Sequence, residues 1–461
     1  MAAPVEAGPP RRRDGGRAEG PMMTSIHVRI ARPSTAALRG HRALLSNAGS
    51  LLGTTGVTAL LGFVFWWLAA QLFPVAAVGY GAAAVSAMTL FGTFGMLGLN
   101  TVLIGELARR PRGARGLLAA GLLASAGACV VLGVAFIVAA ALIGGGFAPY
   151  LSGAGRALIF LLGVVLTGTT LVLDEALIGM LRGGWQLWRN IVFAVMKLVA
   201  LALLVLVLHD RLGVGILTAW VAGTAVSVLP LVVLAHRRGI RVLPRPDWHV
   251  LRGLTRVTSE HTWLNNALQA PRLVLPLMVT GILSAAAGGA FYVGWMIANL
   301  AYLLPHHLTT VLYAIGAADT GALRRKLRFT LRLSLLGGLV GVPVLILVAH
   351  PGLQLYGSVY ADMATRPLQI LALGYFPSVV KNHYIAVCRV HGRLSEAAWI
   401  ATGGCVVRLA AAAVGALAGG LTGLSLGLLA AMCAEGAVTA PTVVRAARGA
   451  FPSMPTTEVS P

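Results

Sequence analysis

Residues 44–73 read LLSNAGSLLGTTGVTALLGFVFWWLAAQLF, thirty positions without a single Asp, Glu, Lys or Arg. An apolar run of about 18 residues or more is long enough to cross the hydrocarbon core of a bilayer as a helix. The rest of the chain is of the same kind. Of its 461 residues, 57% are hydrophobic and 11% charged, with a mean hydropathy of +0.82, whereas a soluble domain carries about 25% charged residues. A soluble fold is excluded.

Working outward from that run, apolar segments recur at roughly 44–70, 78–103, 117–143, 157–181, 190–208, 214–235, 262–283, 286–314, 329–349, 365–388, 397–417 and 422–444. We number them spans 1 to 12. The expected fold is all-α: a polytopic membrane protein of about 12 transmembrane helices, in two six-helix lobes around a central cavity. Residues 1–43, rich in Pro, Gly and Arg and without the apolar core of a cleavable signal, read as a disordered basic cytoplasmic tail. The lobes are expected at 44–235 and 262–446, joined by a cytoplasmic linker at 236–261, with a cytoplasmic tail at 447–461. Within the linker Trp248, Leu251, Leu254 and Val257 recur at helical spacing between arginines, which reads as a short helix lying on the membrane surface.

Cytoplasmic loops are enriched in Lys and Arg, so a correct set of spans must place these residues in alternate loops. With both termini in the cytoplasm, 28 of the 36 fall on that side, including Arg109, Arg110, Arg112, Arg115, Arg182 and Arg189. Only Arg156, Arg211 and Arg366 fall outside. The net charge of +22 is therefore the product of this asymmetry in a multi-pass protein of the cytoplasmic membrane, and nucleic acid is not an expected partner. Trp66 and Trp67 at the outer end of span 1, and Trp185, Trp188, Trp263 and Trp399 at inner ends, agree with the headgroup preference of indole.

Polar residues recurring at i, i+3 or i+4 in a span mark a face turned to a cavity or a neighbouring helix. Such stripes are Asn47, Ser50, Thr54 and Thr58 in span 1; Ser86, Thr89, Thr93 and Asn100 in span 2; His261, Asn265, Gln269 and Arg272 in span 7; and Asn299, Tyr302 and His306 in span 8. Tyr375, Ser378, Lys381 and Asn382 form another in span 10. Lys197, Arg272, Lys381 and Arg408 lie roughly 10 to 16 Å from the nearest inner helix end, around the midplane of a core about 30 Å thick. Asp174 and Glu175 in span 4 and Glu435 in span 12 lie at similar depth. Pairing of Asp174 or Glu175 with Lys197, and of Glu435 with Arg408, competes with a functional role for these five. Arg272 and Lys381 have no evident local partner. An unpaired midplane cation is a candidate binding site, and a guanidinium suits phosphate oxygens because it donates two parallel hydrogen bonds. Pro271 and Pro276 are expected to kink span 7 beside Arg272. The three carboxylates are the candidates for ion coupling.

Motifs of soluble enzymes are lacking: there is no GxxxxGK[ST], HExxH or strand-borne GxGxxG. The GxSxG at Gly423–Gly427, around Ser425, lies in the apolar run of span 12, where a nucleophile elbow has no strand to sit on. Cys129, Cys388, Cys405 and Cys433 have no CxxC spacing and read as packing residues, so neither a metal site nor a disulfide framework is expected. His306 and His307 at a helix end read as structural rather than metal-binding. A membrane glycosyltransferase or polymerase would need carboxylates in a sizeable outer loop, and the outer loops offer only Asp210 and Asp362. The chain is expected not to be an enzyme and to need no cofactor.

Residues 44–73 followed by VGYGAAAVSAMTLFGTFGMLGLNTVLIGELARR at 78–110 resemble the first two helices of Wzx-type polysaccharide and oligosaccharidyl-lipid flippases, of the multidrug/oligosaccharidyl-lipid/polysaccharide exporter superfamily. Residues 275–317, LPLMVTGILSAAAGGAFYVGWMIANLAYLLPHHLTTVLYAIGA, and 353–377, LQLYGSVYADMATRPLQILALGYFP, are similar to later helices of that family. The resemblance implies a central cationic cavity lined by spans 1, 2, 7 and 8, alternating access, and a polyprenyl-pyrophosphate-linked oligosaccharide as substrate for cell-surface polysaccharide, including lipopolysaccharide, biosynthesis. Arg272, Lys381, Gln269, Asn265, Asn299, Arg408 and Lys197 are the substrate-binding candidates, and Asp174, Glu175 and Glu435 those for coupling. Membrane lipids, and a polysaccharide polymerase and glycosyltransferases of the same pathway, are the implied partners. Drug exporters of the superfamily often carry a carboxylate in the first helix. Span 1 has none, though a small-molecule exporter of the same fold remains the alternative reading.

Overall fold

A computed structural model of the protein describes residues 59–99, 103, 106–107, 114–144, 146–207, 213–237, 246–249, 259–318 and 320–449. All of them fall within one unit, Ser46–Pro461. The basic tail, the span 1 stripe from Asn47 to Thr58, Asn100, and most of the 236–261 linker lie outside the described residues. Of the surface helix expected in that linker, Trp248 and His249 are described, and they are helical.

No strand occurs among the described residues, and the helices follow the apolar segments. Span 1 is helical over Ala59–Leu72. Spans 2 to 9 are Val75–Gly95, Ala114–Ile143, Ala154–Gly179, Gly183–Val207, Val214–Arg237, Ser259–Ile282, Ala285–Ala318 and Thr320–Gln354. Among the described residues, eight helices are long and apolar enough to cross a membrane, and one of these, Leu394–Arg448, is two spans. It breaks at Gly419 and Gly420, whose backbones leave the helical region, Gly420 with φ of 60°. A side chain there would be strained, so the glycine lets spans 11 and 12 turn back on each other. The last helix runs to Arg448, two residues into the expected tail.

Span 10 departs from its expected form. Instead of one helix over 365–388 it is two, Ser358–Leu373 and Tyr375–Val390, meeting at Gly374. Pro377 has no N–H to donate to the carbonyl four residues back, so the ladder fails there. Beside the break the Tyr302 hydroxyl donates to the Leu371 carbonyl, which also accepts from the Gly374 N–H. Span 7, by contrast, remains one helix through Pro271 and Pro276.

Successive spans alternate in direction, which gives the bundle two ends. One end is basic, carrying Arg182, Arg237, Arg324, Arg325, Lys326, Arg328, Arg393, Arg445 and Arg448. There Arg328 Nε donates to the Ala447 carbonyl (2.7 Å), Trp263 meets Trp399 edge to face, and Ser395 donates to Glu260 (2.5 Å). At the far end the two halves of the chain touch through backbone. A Cβ on Gly79 would lie 1.7 Å from the Ala285 carbonyl oxygen, and one on Gly289 would lie 2.4 Å from that of Val75. Only glycine permits that approach of spans 2 and 8. Trp67 Nε1 and Gln71 Nε2 both donate to the Leu355 carbonyl (3.0 and 3.1 Å), and Trp66 packs on Tyr292 with 4.5 Å between ring centroids. The far end is closed.

Candidate substrate-binding site

Asn265, Gln269 and Arg272 follow one face of span 7. Arg272 is exposed although the residues on either side, Pro271 and Leu273, are buried, so its side chain leaves the packed core in mid-helix. Arg272 Nη2 donates to Gln269 Oε1 (2.7 Å), which steadies the guanidinium and leaves its other donors open. Trp295 Nε1 of span 8 bonds the Arg272 carbonyl (3.3 Å) and fixes the backbone beneath it.

The surroundings are cationic. His306 of span 8 lies in the field of Arg272, Lys381 and Arg389, and Tyr292 also feels Arg272. A small polar cleft between spans 8 and 10 is lined by His306, Thr309, Thr310, Tyr313, Asn382 and Arg389. Arg389 was counted by sequence among loop charges, but it stands within the second helix of span 10 and donates to Asn265 Oδ1 (2.7 Å). Asn265 therefore serves as a tether between spans 7 and 10. Asn299 donates to its own helix, at the Trp295 carbonyl (2.7 Å). Lys381 has neither a hydrogen bond nor an ion pair among the described residues, and lies in the field of Arg408 and Glu435. Those two pair directly, joining spans 11 and 12, as one of the expected alternatives has it. Gly404 makes room for the pair, since a Cβ there would lie 2.6 Å from Glu435 Oε1.

The other half of the chain handles its charges differently. Asp174 does not pair with Lys197. It takes Arg189 instead, which donates from Nε to Oδ1 (2.7 Å) and from Nη2 to Oδ2, with further bonds from Arg189 Nη1 to Ser227 (3.1 Å) and from Asn190 to Asp174 (3.3 Å). Arg189, also counted by sequence as a loop cation, is 5% exposed. Span 5 begins at Gly183, not near 190, which carries Arg189 more than a turn into the helix. Trp185 and Trp188 marked the headgroup level and were the signal that could have placed it. Glu175 is half-buried with Asp174 in its field. Lys197 is 3% exposed and faces three aromatic rings rather than a cavity.

At the basic half of the bundle a cavity of about 760 Å³ opens between spans 2, 7 and 11, lined by Phe94, Leu97, Trp263, Asn266, Thr402 and Cys405 among others. Most of its walls are apolar, and on span 7 it is bounded by Thr262, Trp263, Asn266, Ala267 and Ala270, a face other than the one that carries Arg272. Among the described residues no cluster of His, Cys, Asp or Glu could hold a metal. Ser425 is buried within a helix and donates to the Leu421 carbonyl (2.9 Å), so its GxSxG forms no elbow.

Residues 44–263 match the family described as Polysaccharide biosynthesis protein. No curated relative matches the chain by sequence. Among solved structures, the chain is similar to a multidrug resistance MATE family transporter of the MOP superfamily in its inward-facing conformation, at 15% identity and a TM-score of 0.63, covering 85% of this chain and 95% of that one. The outward-facing conformation of such a transporter overlaps at 0.55, with 15% identity and coverage of 88% and 96%. A MOP superfamily transporter from Pyrococcus furiosus, described as having a binding pocket of reversed polarity that suggests a different function, overlaps at 0.57, with 16% identity and coverage of 89% and 96%.

Proposed function

We propose that the chain, whose fold is similar to that of MOP superfamily transporters and whose residues 44–263 match the polysaccharide biosynthesis protein family, is a multi-pass membrane transporter that flips a polyprenyl-pyrophosphate-linked oligosaccharide across the cytoplasmic membrane by alternating access. The basic end faces the cytoplasm on this reading, with both termini, because Lys and Arg concentrate there.

The observation that carries the substrate class is the exposed Arg272 in mid-span, whose field, with those of Lys381 and Arg389, reaches His306. A cationic face at that depth costs several kcal/mol unless an anion or water meets it. Arg272 offers planar donors in a fork braced by Gln269, which matches phosphate oxygens better than the diffuse charge of a hydrophobic cation. The apolar cavity between spans 2, 7 and 11 leaves a place for a lipid chain, while the sugar would occupy the polar interior. Membrane lipids surround the bundle, and the polymerase and glycosyltransferases that use or make such a substrate are the partners this function requires.

The test is glycan export measured beside the amount of membrane-inserted protein. Arg272→Ala should abolish export with insertion unchanged, and Arg272→Lys, which keeps charge but not the donor fork, should impair it by roughly tenfold or more, the loss of one charge-assisted hydrogen bond. Normal export by Arg272→Ala would overturn the proposal.

A further inference from the structure

Lys197 is a cation without an anion. Its ammonium stands 4.2 Å from the ring centroid of Trp220, 4.8 Å from Phe193 and 4.9 Å from Phe65. Three spans thus build one aromatic cage: Phe65 from span 1, Phe193 from span 5 and Trp220 from span 6. Gly223 of span 6 lets the helices close around it, since a Cβ there would lie 2.8 Å from the Lys197 backbone nitrogen. Among the described residues Lys197 has no hydrogen-bond acceptor and no ion pair. The titratable groups on the packed elements all lie elsewhere. Span 1 has none over 59–72; span 5 has Arg189, eight residues away and engaged with Asp174; span 6 has His236 and Arg237 at its basic end; span 4 has Arg156, Asp174 and Glu175. None of them exerts a field on Lys197.

A buried ammonium held only by ring faces is finely balanced, because cation–π attraction offsets part of a desolvation cost that the neutral amine does not bear. The cage is also wired to the closed end. Phe65 packs edge to face on Trp66 (5.3 Å) and Trp220 (5.4 Å), and Trp66 meets Tyr292 of span 8 across the boundary between the two halves. Opening the far end must separate Trp66 from Tyr292 and so move Phe65, one wall of the cage.

We propose that Lys197 is a proton-binding site that couples the transport cycle to a proton gradient: the ammonium stabilises the assembled cage and the closed far end, and the free amine releases it. The proton comes from water and returns to water, and no other bond changes. The sign suits export. A proton bound in the far-open state drives closure there, and its loss prepares the next opening. The inference rests on the alternating-access reading and supplies its coupling ion, from a lysine rather than from a carboxylate.

The experiment places spin labels at Leu142→Cys and Ser358→Cys, exposed positions at the far end of either half, in full-length protein lacking the four native cysteines and reconstituted in lipid nanodiscs. The distance between labels should lengthen as pH rises from about 5 to about 10. Lys197→Arg, charged throughout, should hold the short distance across the range, and Lys197→Gln should show no titration. Phe193→Leu keeps the lysine but removes one ring, and should move the midpoint down by roughly 0.5–1.5 pH units; this variant keeps the test decisive should Lys197→Gln fail to fold. Unchanged titration in Lys197→Arg or in Phe193→Leu overturns the proposal. Wild-type protein that titrates in this way but moves no lipid-linked glycan leaves the proton site standing and removes the substrate proposal. Wild-type protein that exports glycan with a pH-independent distance does the reverse.

Discussion

Gly79 is the position where one added methyl group should decide whether the far end of the bundle stays closed. In the closed far end, a Cβ there would lie 1.7 Å from the Ala285 carbonyl oxygen, 2.7 Å from the Ala285 carbonyl carbon and 2.8 Å from the Gly289 nitrogen. All three are backbone atoms of span 8, so no side chain is available to swing aside. Ordinary contact begins near 3.4 Å, and spans 2 and 8 would have to part by about 1.7 Å. Overpacking a tight contact costs roughly 1–3 kcal/mol, and rigid backbone on both sides argues for the upper part of that range. Alanine also stabilises a helix over glycine by roughly 0.5–1 kcal/mol, but equally in both conformations, so that gain cancels in their ratio. Gly79→Ala should therefore shift the closed-to-open ratio by roughly 5- to 160-fold toward the far-open state, without lowering the amount of folded protein. The assay is the distance between labels at Leu142→Cys and Ser358→Cys at fixed pH, with Gly341→Ala as control, since that glycine meets nothing within 4 Å. An unshifted distance in Gly79→Ala would show that the contact of spans 2 and 8 is not what closes the far end.

The two buried ion pairs should behave alike on truncation. Asp174→Asn leaves Arg189 buried without its counter-charge and should cost roughly 3–5 kcal/mol, read as a lower temperature of aggregation in detergent; an unchanged temperature would refute the role of the pair. Arg408→Gln should destabilise in the same assay, and adding Glu435→Gln should recover much of the loss, because the double change leaves no uncompensated charge.

The fold was legible because each span is an apolar run bounded by arginines, and that pattern survives errors of a few residues at the ends. Those same errors hid part of the site. Arg189 sits more than a turn inside its helix and Arg389 just inside the end of its own, so a boundary drawn too late or too early turned two helix cations into loop charges. Periodicity gave the face carrying Asn265, Gln269 and Arg272, but not that Arg389 already occupies Asn265. The pairing of Glu435 with Arg408 follows from antiparallel neighbours in sequence, whereas the sequence offered Lys197 as the partner of Asp174 or Glu175 because it placed Arg189, the actual partner of Asp174, in a loop. The aromatic cage was out of reach for a different reason: Phe65, Phe193 and Trp220 come from three spans, and no local spacing relates them.

The placement of strong and weak interactions bears on how such a bundle could alternate. Among the described residues the charged bonds stay within one half of the chain: Asp174 with Arg189, Arg408 with Glu435, and Arg389 with Asn265. Between the halves at the far end stand glycine contacts, apolar packing that includes Trp66 on Tyr292, and neutral bonds from Trp67 and Gln71 to Leu355 and from Thr280 to the Gly79 carbonyl (3.5 Å). A neutral hydrogen bond contributes roughly 0.5–1.5 kcal/mol net, whereas breaking a buried ion pair costs roughly 3–5 kcal/mol. Rocking one half against the other severs neutral bonds and apolar contacts and leaves the buried ion pairs intact. The cations proposed to meet the substrate then keep their internal supports through the cycle.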